Sequence, residues 1–316
     1  MKVIDLINSS KSTAFSFEIL PPLKGNSIQK VYNVIDKLIE FDPKYINITS
    51  HHSEYIYKTL PDGSFQKVNI RKRPGSVAIA SAIQNKYGIT AVPHIICKGF
   101  TKDETEYALI DLNFLGVYDL LLLRGDVKTL EAGQKTDIYH EHATDLQQQV
   151  NNFNKGIAID GSAFEANETP FSYGMACYPE KHEEAPNMES DIFYLKEKVK
   201  NGADCLVTQM FFDNEKYYAF VDRCRAEGIT VPIIPGIKPI VFKNQLTVLP
   251  KIFRSDIPEP FATELRKCKT DDEAKAVGVE WCIQQCKDLI AHGVPSLHFY
   301  TMMASDSVYK VAKEVY

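Results

Sequence analysis

The chain has 316 residues, of which 44% are hydrophobic, and its 36 basic and 41 acidic residues give a formal net charge of −5. This mild acidity, with no basic tract, argues against a nucleic-acid-binding surface. Apolar runs of about eight residues are too short to span a bilayer, and the opening MKVIDLINSS lacks the apolar core of a signal peptide.

Apolar runs of strand length recur along the chain and alternate with segments of helical periodicity. We predict strands at 15–20, 45–50, 90–97, 119–125, 172–179, 205–213, 232–239 and 297–302. We predict amphipathic helices at 28–41, 102–116, 191–203, 214–228 and 271–292. Thr101 followed by Glu104 indicates a capping box at the start of the second helix.

Strands that are nearly continuous apolar runs, separated by helices, predict a parallel sheet covered by helices. The simplest way to close such a sheet is a (β/α)8 TIM barrel, which is an α/β fold. We predict that it forms a single domain over 1–316. An open doubly wound sheet is the alternative, but no G-x-G-x-x-G follows the first strand. Residues 127–171 are polar and rich in Gly and Asn, with a short helical patch near HATDLQQQVNNF, and predict a long active-site loop.

Polar residues gather where the predicted strands end. They are Glu18, Thr49, Ser50, His51, His52, His94, Arg124, Gly125, Asp126, Tyr178, Gln209, Lys238, Tyr300 and Thr301. In a (β/α)8 barrel these ends meet on the face that carries catalysis, so the pattern predicts one composite site there.

Glu18 is a lone acid in the apolar run FSFEILPP. Its sequence neighbours offer no opposite charge, and burial of a carboxyl favours its protonated form. Such a group can act as a general acid near neutral pH. The structural alternative is a salt bridge to a barrel arginine such as Arg124.

Histidine and cysteine usage does not favour a metal site. His94 can be a ligand-binding donor, a metal ligand or a core residue, while the adjacent His51 and His52 would point to opposite sides of a strand. No H-x-H or H-E-x-x-H motif is present, and the seven cysteines form no C-x-x-C pair. We therefore expect no metal and reduced thiols in a cytoplasm. Lys238, near a strand end, leaves open a Schiff-base lyase or aldolase.

Eight blocks of the sequence resemble the methylenetetrahydrofolate reductase family, in the family's order, from about Phe15 to Thr301. They are SFEILPP, YINIT, PHIIC, LLLLRGD, YPEKHEEA, DIFYLKEKVKNGADCLVTQMFFD, IIPGIKPI and GVPSLHFYT. The resemblance implies a TIM-barrel flavoprotein that binds FAD, takes electrons from NADH or NADPH, and then reduces 5,10-methylenetetrahydrofolate at the same face. Its product, 5-methyltetrahydrofolate, would supply methyl groups for methionine synthesis.

The resemblance also implies roles for individual residues. Glu18 matches the family's general acid, and Asp126 matches an acid that lies near the flavin and contacts the substrate. Gln209, Gln245 and Tyr300 fall on substrate-binding positions. The positions that match cofactor contacts are Thr49, His94, Arg124, Gly125, Asp126, Ala143, Tyr178, His182, Ala185, Asp191 and Lys198, with Ser50 and His52 near the expected nicotinamide site.

Several positions depart from the family's pattern. Glu197 stands where an arginine is common, Ser50 and His52 replace a common tyrosine and a small residue, and HFYT is followed by MMASDS instead of Leu-Asn-Arg. No regulatory domain for S-adenosylmethionine follows, so we expect no such feedback. We expect a homo-oligomer that binds small molecules and neither nucleic acid nor membrane. A non-catalytic flavin- or folate-binding subunit remains the third functional alternative, beside the lyase.

Overall fold

The computed structural model describes residues 1–51, 54–125, 138–302 and 305–316. Its strands, numbered in chain order, are β1 Ala14–Ile19, β2 Tyr45–Ile48, β3 Glu54–Thr59, β4 Phe65–Ile70, β5 Thr90–Ile96, β6 Asp119–Leu123, β7 Ser172–Cys177, β8 Cys205–Thr208, β9 Ile233–Ile234, β10 Gly236–Ile237 and β11 Ser296–Tyr300. All except β3 and β4 form one parallel sheet, in the order β10-β11-β1-β2-β5-β6-β7-β8-β9.

The two ends of this sheet meet at Pro235, which lies between the two short strands β9 and β10. β9 pairs with β8 on one side, and β10 pairs with β11 on the other. The amide of His298 donates to the carbonyl of Pro235 at 3.1 Å, so the interruption does not open the ring. β9 and β10 therefore act as one barrel strand, and the predicted (β/α)8 fold is confirmed.

Most helices cover the outer face of the barrel, whereas the first one buries Val3 and Ile7 against the inward-facing Tyr45, Val92 and Leu121. In the described residues the helices are α1 Val3–Ser9, α2 Gln29–Leu38, α3 Ser76–Tyr87, α4 Lys102–Phe114, α5 Ala143–Asn154, α6 Met188–Lys200, α7 Asn214–Ala226, α8 Gln245–Phe253, α9 Glu259–Lys267, α10 Asp271–Ala291 and α11 Ser305–Val315. All five predicted helices are present, and the capping box at Thr101 and Glu104 is confirmed. The sequence patterns that we used did not predict α1, α3, α8, α9 or α11.

The short helical patch predicted near HATDLQQQVNNF, within the predicted loop over 127–171, is confirmed. It is the twelve-residue helix α5, which buries Leu146, Val150 and Phe153 against the barrel. After α5, the chain forms an isolated bridge between Ile157 and Ala163 before it enters β7. Residues 126–137 lie outside the described residues.

The antiparallel hairpin of β3 and β4 was not predicted. Its turn, LPDGS, follows an alternating segment and precedes another, which is an ordinary hairpin signal. The hairpin is inserted between β2 and α3, at the carboxyl end of the second barrel strand. It leaves Ile56, Tyr57 and Phe65 exposed.

Between the sheet and the helices lies a continuous apolar core, to which Phe17, Ile46, Leu122 and Phe299 contribute. All seven cysteines are free and buried. Cys282 and Cys286 on α10 lie in this core, and the indole of Trp281 stacks on Phe261. Among the described residues, no helix is both long and apolar enough to cross a membrane.

Candidate active site

Glu18 lies at the carboxyl end of β1, and its side chain is almost completely buried. Burial raises the pKa of the carboxyl group to about 8, although the positive charge of Lys238 acts in the opposite direction. The alternative of a salt bridge to Arg124 is wrong, because Arg124 pairs with Glu183 and Glu184. Glu18 is thus protonated at neutral pH, as the apolar setting of FSFEILPP predicts.

His94, on β5, is the close polar neighbour of Glu18. Its Nε2 lies 3.8 Å from Oε2 of Glu18. Burial, with smaller effects from His298 and His51, lowers the pKa of His94 to about 3, so the imidazole is neutral. The contact is therefore not an ion pair. Nε2 of His94 is buried and has no hydrogen-bond partner within the described part of the chain.

A second polar layer lies deeper in the barrel. Nδ1 of His298 is 3.0 Å from Oγ of Ser16, and Nδ2 of Asn47 is 3.5 Å from Nε2 of His298. Tyr45 stacks parallel to His298 at 6.2 Å between ring centres. Burial lowers the pKa of His298 to about 3. This layer supports the site from below with neutral groups, and the sequence analysis missed it.

Lys238 and Tyr300 complete the site on the other side of Glu18. The hydroxyl of Tyr300 donates to the carbonyl of Thr208 at 2.6 Å, which holds the ring across the barrel mouth. Nζ of Lys238 is 3.5 Å from the carbonyl oxygen of Tyr300. Burial lowers the pKa of Lys238, and the carboxyl of Glu18 raises it. The side chains of Lys238 and Glu18 therefore lie close enough to interact electrostatically.

A cluster of charged and aromatic groups lies beyond β6 and β7. The ring of Tyr178 contacts that of His182 edge to face at 4.6 Å, and Oδ2 of Asp191 accepts from the amide of His182 at 2.7 Å. Nζ of Lys198, on α6, donates to the carbonyl of Ala176 at 3.0 Å. Burial lowers the pKa of Lys198, and Asp191 raises it. Four predicted cofactor residues, all within 178–198 of the sequence, thus lie together beyond the end of β7.

Other predicted residues lie around the same face. Oγ1 of Thr49 is 3.1 Å from Nε2 of His51. Ser50, which lies between these two residues in the chain, is half-buried, and so is Ala143 at the start of α5. Lys181 donates to the carbonyl of Ala185. Asp126 and His52 lie outside the described residues.

The two glutamines predicted to bind substrate have local partners. Gln209 follows β8 directly, since that strand ends at Thr208 and not at the predicted 213, and its Oε1 accepts from the amide of Met210 at 2.9 Å. Oε1 of Gln245, the first residue of α8, accepts from the amides of Val241 and Phe242 at 2.7 and 3.0 Å. Each side chain keeps its amide nitrogen for another partner.

The residues of this face fit a large anionic cofactor with polar ring edges. Nε2 of His94 is a buried polar atom without a hydrogen-bond partner among the described residues. Lys198 is a half-buried cation of the type that binds phosphate. Gly125 has φ of +83°, and a Cβ there would lie 3.3 Å from Cβ of Ile96, so its backbone passes close to β5. Among the described residues, no group of three or more His, Cys, Asp or Glu side chains forms a metal site.

Comparison with protein families gives a match over nearly the whole chain. The family model described as "Methylenetetrahydrofolate reductase" matches residues 2–316. A Caenorhabditis elegans protein named "Probable methylenetetrahydrofolate reductase (NADPH)" is 30% identical over 315 residues, which are 99% of this chain and 43% of that protein. The Escherichia coli (strain K12) "5,10-methylenetetrahydrofolate reductase" is 30% identical over 297 residues, which are 94% of this chain and 88% of that protein.

The matched lengths differ between the two groups of relatives. The chain spans about half the length of the eukaryotic relatives it matches, 43% of the Caenorhabditis elegans protein and 49% of an Arabidopsis thaliana one. A solved structure from Clostridium thermocellum, described as an uncharacterized protein that binds two copies of 5-methyl-5,6,7,8-tetrahydrofolic acid, has a TM-score of 0.54. At 14% identity over 98% of both chains, it supports the barrel fold alone.

Proposed function

The chain belongs to the methylenetetrahydrofolate reductase family, and from this premise we propose that it reduces 5,10-methylenetetrahydrofolate to 5-methyltetrahydrofolate. We propose FAD as its cofactor, NADH or NADPH as its electron donor, and methyl supply for methionine synthesis as its role. The observation that supports this chemistry most directly is the protonated, buried Glu18 at the carboxyl end of a barrel strand. The proposal extends to a single catalytic domain over 1–316.

Opening of the five-membered ring of the folate substrate requires a proton at a ring nitrogen, and Glu18 supplies it. A carboxyl with a pKa of about 8 is protonated at pH 7, and it can donate its proton to a ring nitrogen whose basicity rises as its C–N bond breaks. The neutral His94 at 3.8 Å does not compete for this proton, because burial holds its own pKa near 3. Glu18 therefore acts as general acid once per turnover.

The charged cluster beyond β6 and β7 would hold the cofactor. FAD, when bound, supplies the hydride chemistry by accepting a hydride from the nicotinamide and delivering it to the folate. We propose that Lys198 and Arg124 would contact its phosphates. His94, whose Nε2 has no hydrogen-bond partner among the described residues, would bind a ring edge. We assign Asp126 a role near this edge, Thr49, Ser50, His52, Ala143 and Ala185 to cofactor contact, and Gln209, Gln245 and Tyr300 to substrate contact.

Absorbance spectroscopy on the purified protein tests the proposal. We expect a yellow protein whose flavin absorbance is bleached anaerobically by NADH or NADPH and restored by methylenetetrahydrofolate. A colourless protein that forms a borohydride-trapped adduct on Lys238 would instead support a lyase, and bound FAD without reduction by either nicotinamide would support a non-catalytic carrier.

We also propose that the protein forms a homo-oligomer through α4. Tyr107, Ile110 and Phe114, at helical spacing on α4, are 63%, 50% and 89% exposed. The hairpin-like segment after α5 adds Ile157 and Ile159, since the amide of Ile159 donates to Glu106 of α4. Two aromatic rings and three isoleucines offer several hundred Å² of apolar surface, approaching the ~800 Å² that each partner contributes to a standard interface.

Light scattering tests this interface. We expect Phe114→Glu to lower the molar mass to that of a smaller assembly, because a charge in the centre of the interface prevents association. The control is Phe65→Glu, at a residue that is 69% exposed on the hairpin of β3 and β4. An unchanged mass for Phe114→Glu would reject α4 as the interface. We further propose that the protein resides in a reducing cytoplasm, because its cysteines are free and buried.

A further inference from the structure

Three neighbouring strands place Lys238, Tyr300 and Glu18 in one row at the mouth of the barrel. Glu18 lies opposite Tyr300 in the pairing of β1 with β11. Ile237 lies opposite Phe299 in the pairing of β10 with β11, so the next residue, Lys238, reaches the level of Tyr300. Its ammonium lies 3.5 Å from the carbonyl oxygen of Tyr300, the residue directly beside Glu18.

Among the described residues, the ammonium of Lys238 is the charged group that acts on Glu18. Burial raises the pKa of Glu18, and among the described residues the one opposing effect comes from Lys238. The hydrogen bond of Lys238 goes to a neutral carbonyl, which does not cancel its charge. The sequence pattern had suggested Arg124 as the alternative partner of Glu18, and it did not indicate Lys238 in this role.

In the described part of the chain, the other titratable groups that face Glu18 are neutral at pH 7. His94 approaches from β5 and His298 from β11, and burial lowers the pKa of each to about 3. Tyr300 also faces Glu18 from β11, and burial raises the pKa of its hydroxyl well above the usual value. Among the described residues around Glu18, Lys238, directly after β10, therefore supplies the charge.

We propose that Lys238 is a positioning residue for proton transfer, whose ammonium stabilises the carboxylate that Glu18 becomes when it gives up its proton. This inference rests on the proposed function. In the step, the O–H bond of Glu18 breaks, an N–H bond forms on the substrate nitrogen, and the electron pair remains on Glu18 beside the ammonium. After product release, a proton from bulk water restores the carboxyl group. The lysine keeps its own proton throughout.

The charge of Lys238 sets how readily Glu18 releases its proton. Without the ammonium, burial alone would act on the carboxyl group, and Glu18 would hold its proton to a higher pH. Proton donation would then become less favourable, while reduction of the flavin by the nicotinamide, which needs no proton from Glu18, would be unaffected. This contrast separates a role in proton transfer from a general role in folding or cofactor binding.

The test is an infrared titration of the Glu18 carboxyl group in the FAD-loaded protein without substrate. The band of the protonated carboxyl is assigned by its absence in Glu18→Gln. Lys238→Gln removes the charge but retains an amide that can donate to the carbonyl of Tyr300. We expect its titration midpoint to rise by about one pH unit or more, while Lys238→Arg restores a midpoint near that of the wild type.

A second readout is the pH profile of folate reduction by the reduced enzyme. Its alkaline limb should move in the same direction in Lys238→Gln and Lys238→Met, with unchanged flavin reduction by NADH. Lys243→Met, five residues along the chain at an exposed lysine, is the matched control and should change neither measurement. An unchanged or lowered midpoint in both charge-removing variants overturns the inference.

The two proposals fail separately. If the protein reduces no folate but the midpoint rises in Lys238→Gln, the reductase assignment fails and the pairing of lysine with acid stands. If folate reduction proceeds while the midpoint stays fixed, the reductase stands and the role of Lys238 is rejected.

Discussion

Oε2 of Glu18 lies 3.8 Å from Nε2 of His94, and both side chains are almost wholly buried at the mouth of the barrel. Burial moves their pKa values in opposite directions, to about 8 for the acid and about 3 for the imidazole. Both are uncharged at pH 7, so the pair joins a protonated acid to a neutral base. Because the distance exceeds hydrogen-bond range, the proton of Glu18 stays available to an incoming acceptor.

Replacing Glu18 with Gln should separate the two half-reactions. Reduction of the bound flavin by NADH should remain nearly intact, while the rate of folate reduction should fall by about 10²-fold or more, because a positioned general acid is lost. Anaerobic stopped-flow absorbance measures each half-reaction separately. A parallel loss in both would show that Glu18 is needed for binding or folding and not as the acid.

The same substitution should stabilise the fold at alkaline pH. Since the folded pKa of Glu18 is about 8 and its ordinary value is 4.5, the unfolded chain ionises first, and stability is lost as the pH rises between these values. Glu18→Gln escapes this loss, so its advantage in unfolding free energy should grow to about 2–4 kcal/mol at pH 8.

Urea denaturation at pH 4.5 and at pH 8 measures this difference. Glu314→Gln, at an exposed acid on α11, is the control and should show no such dependence on pH. An advantage of Glu18→Gln that is equal at the two pH values would mean that Glu18 ionises normally in the folded protein.

His298 should weaken the fold in acid. Its pKa is about 3 in the folded protein against 6.5 ordinarily, so the unfolded chain binds the proton first and stability falls as the pH drops below 6.5. His298→Asn, which can still bond Ser16, should cost stability at pH 7 but regain about 2 kcal/mol of that cost by pH 4.5. His292→Asn, at an exposed histidine, is the control. Parallel curves for His298→Asn and wild type would contradict a neutral buried imidazole.

Lys198 should hold the cofactor phosphates. We expect Lys198→Met to weaken FAD binding by about tenfold or more, because a charge-assisted contact from a half-buried cation is removed. Lys200→Met, on the same helix but with a side chain that is 75% exposed, should bind FAD normally. Fluorescence titration of the flavin measures both affinities, and equal affinities would place the phosphates elsewhere.

Gly236 should be irreplaceable even by alanine. A Cβ at this position would contact the carbonyl of Thr208 and lie 2.5 Å from Cε2 of Tyr300. We expect Gly236→Ala to cost about 3 kcal/mol of unfolding free energy, because the ring of Tyr300 and the strand must move apart. The control is Gly63→Ala, at a turn with φ of +82° but open space around it, which should cost only about 1–2 kcal/mol. Equal costs would show that the barrel mouth yields easily.

The positions of the eight barrel strands could be predicted from the sequence, because strands that are buried on both faces consist of nearly continuous apolar runs. The acid at Glu18 is predictable for the same reason, as a charge that breaks such a run. The sequence of α11 has a clear amphipathic pattern that could have predicted this helix. The pattern of α3 is weaker, so its apolar periodicity does not distinguish a helix from a loop. The hairpin of β3 and β4 has a turn signal, PDG, between two alternating segments. It was not predicted because its strands are not the continuous apolar runs that mark barrel strands.

The groups around Glu18 could not be predicted from local sequence. Lys238 acts on Glu18 through a row of three strands whose pairing depends on barrel closure. Arg124 was a plausible partner for Glu18 by residue type, but Glu183 and Glu184 lie nearer to it in the fold. Contacts of this kind join residues far apart in the chain, so neither periodicity nor motif spacing records them.

The pairing of the first strand with the last also determines when the barrel can close during synthesis of the chain. Glu18 is on the first barrel strand, while Thr301, whose hydroxyl donates to the carbonyl of Glu18, is 283 residues away along the chain. The amide of Ala14 likewise donates to the carbonyl of Pro295. A nascent chain on the ribosome can therefore assemble the row of Lys238, Tyr300 and Glu18 only after β11 has left the exit tunnel. Until then, the first strand has one edge unpaired and needs protection from aggregation.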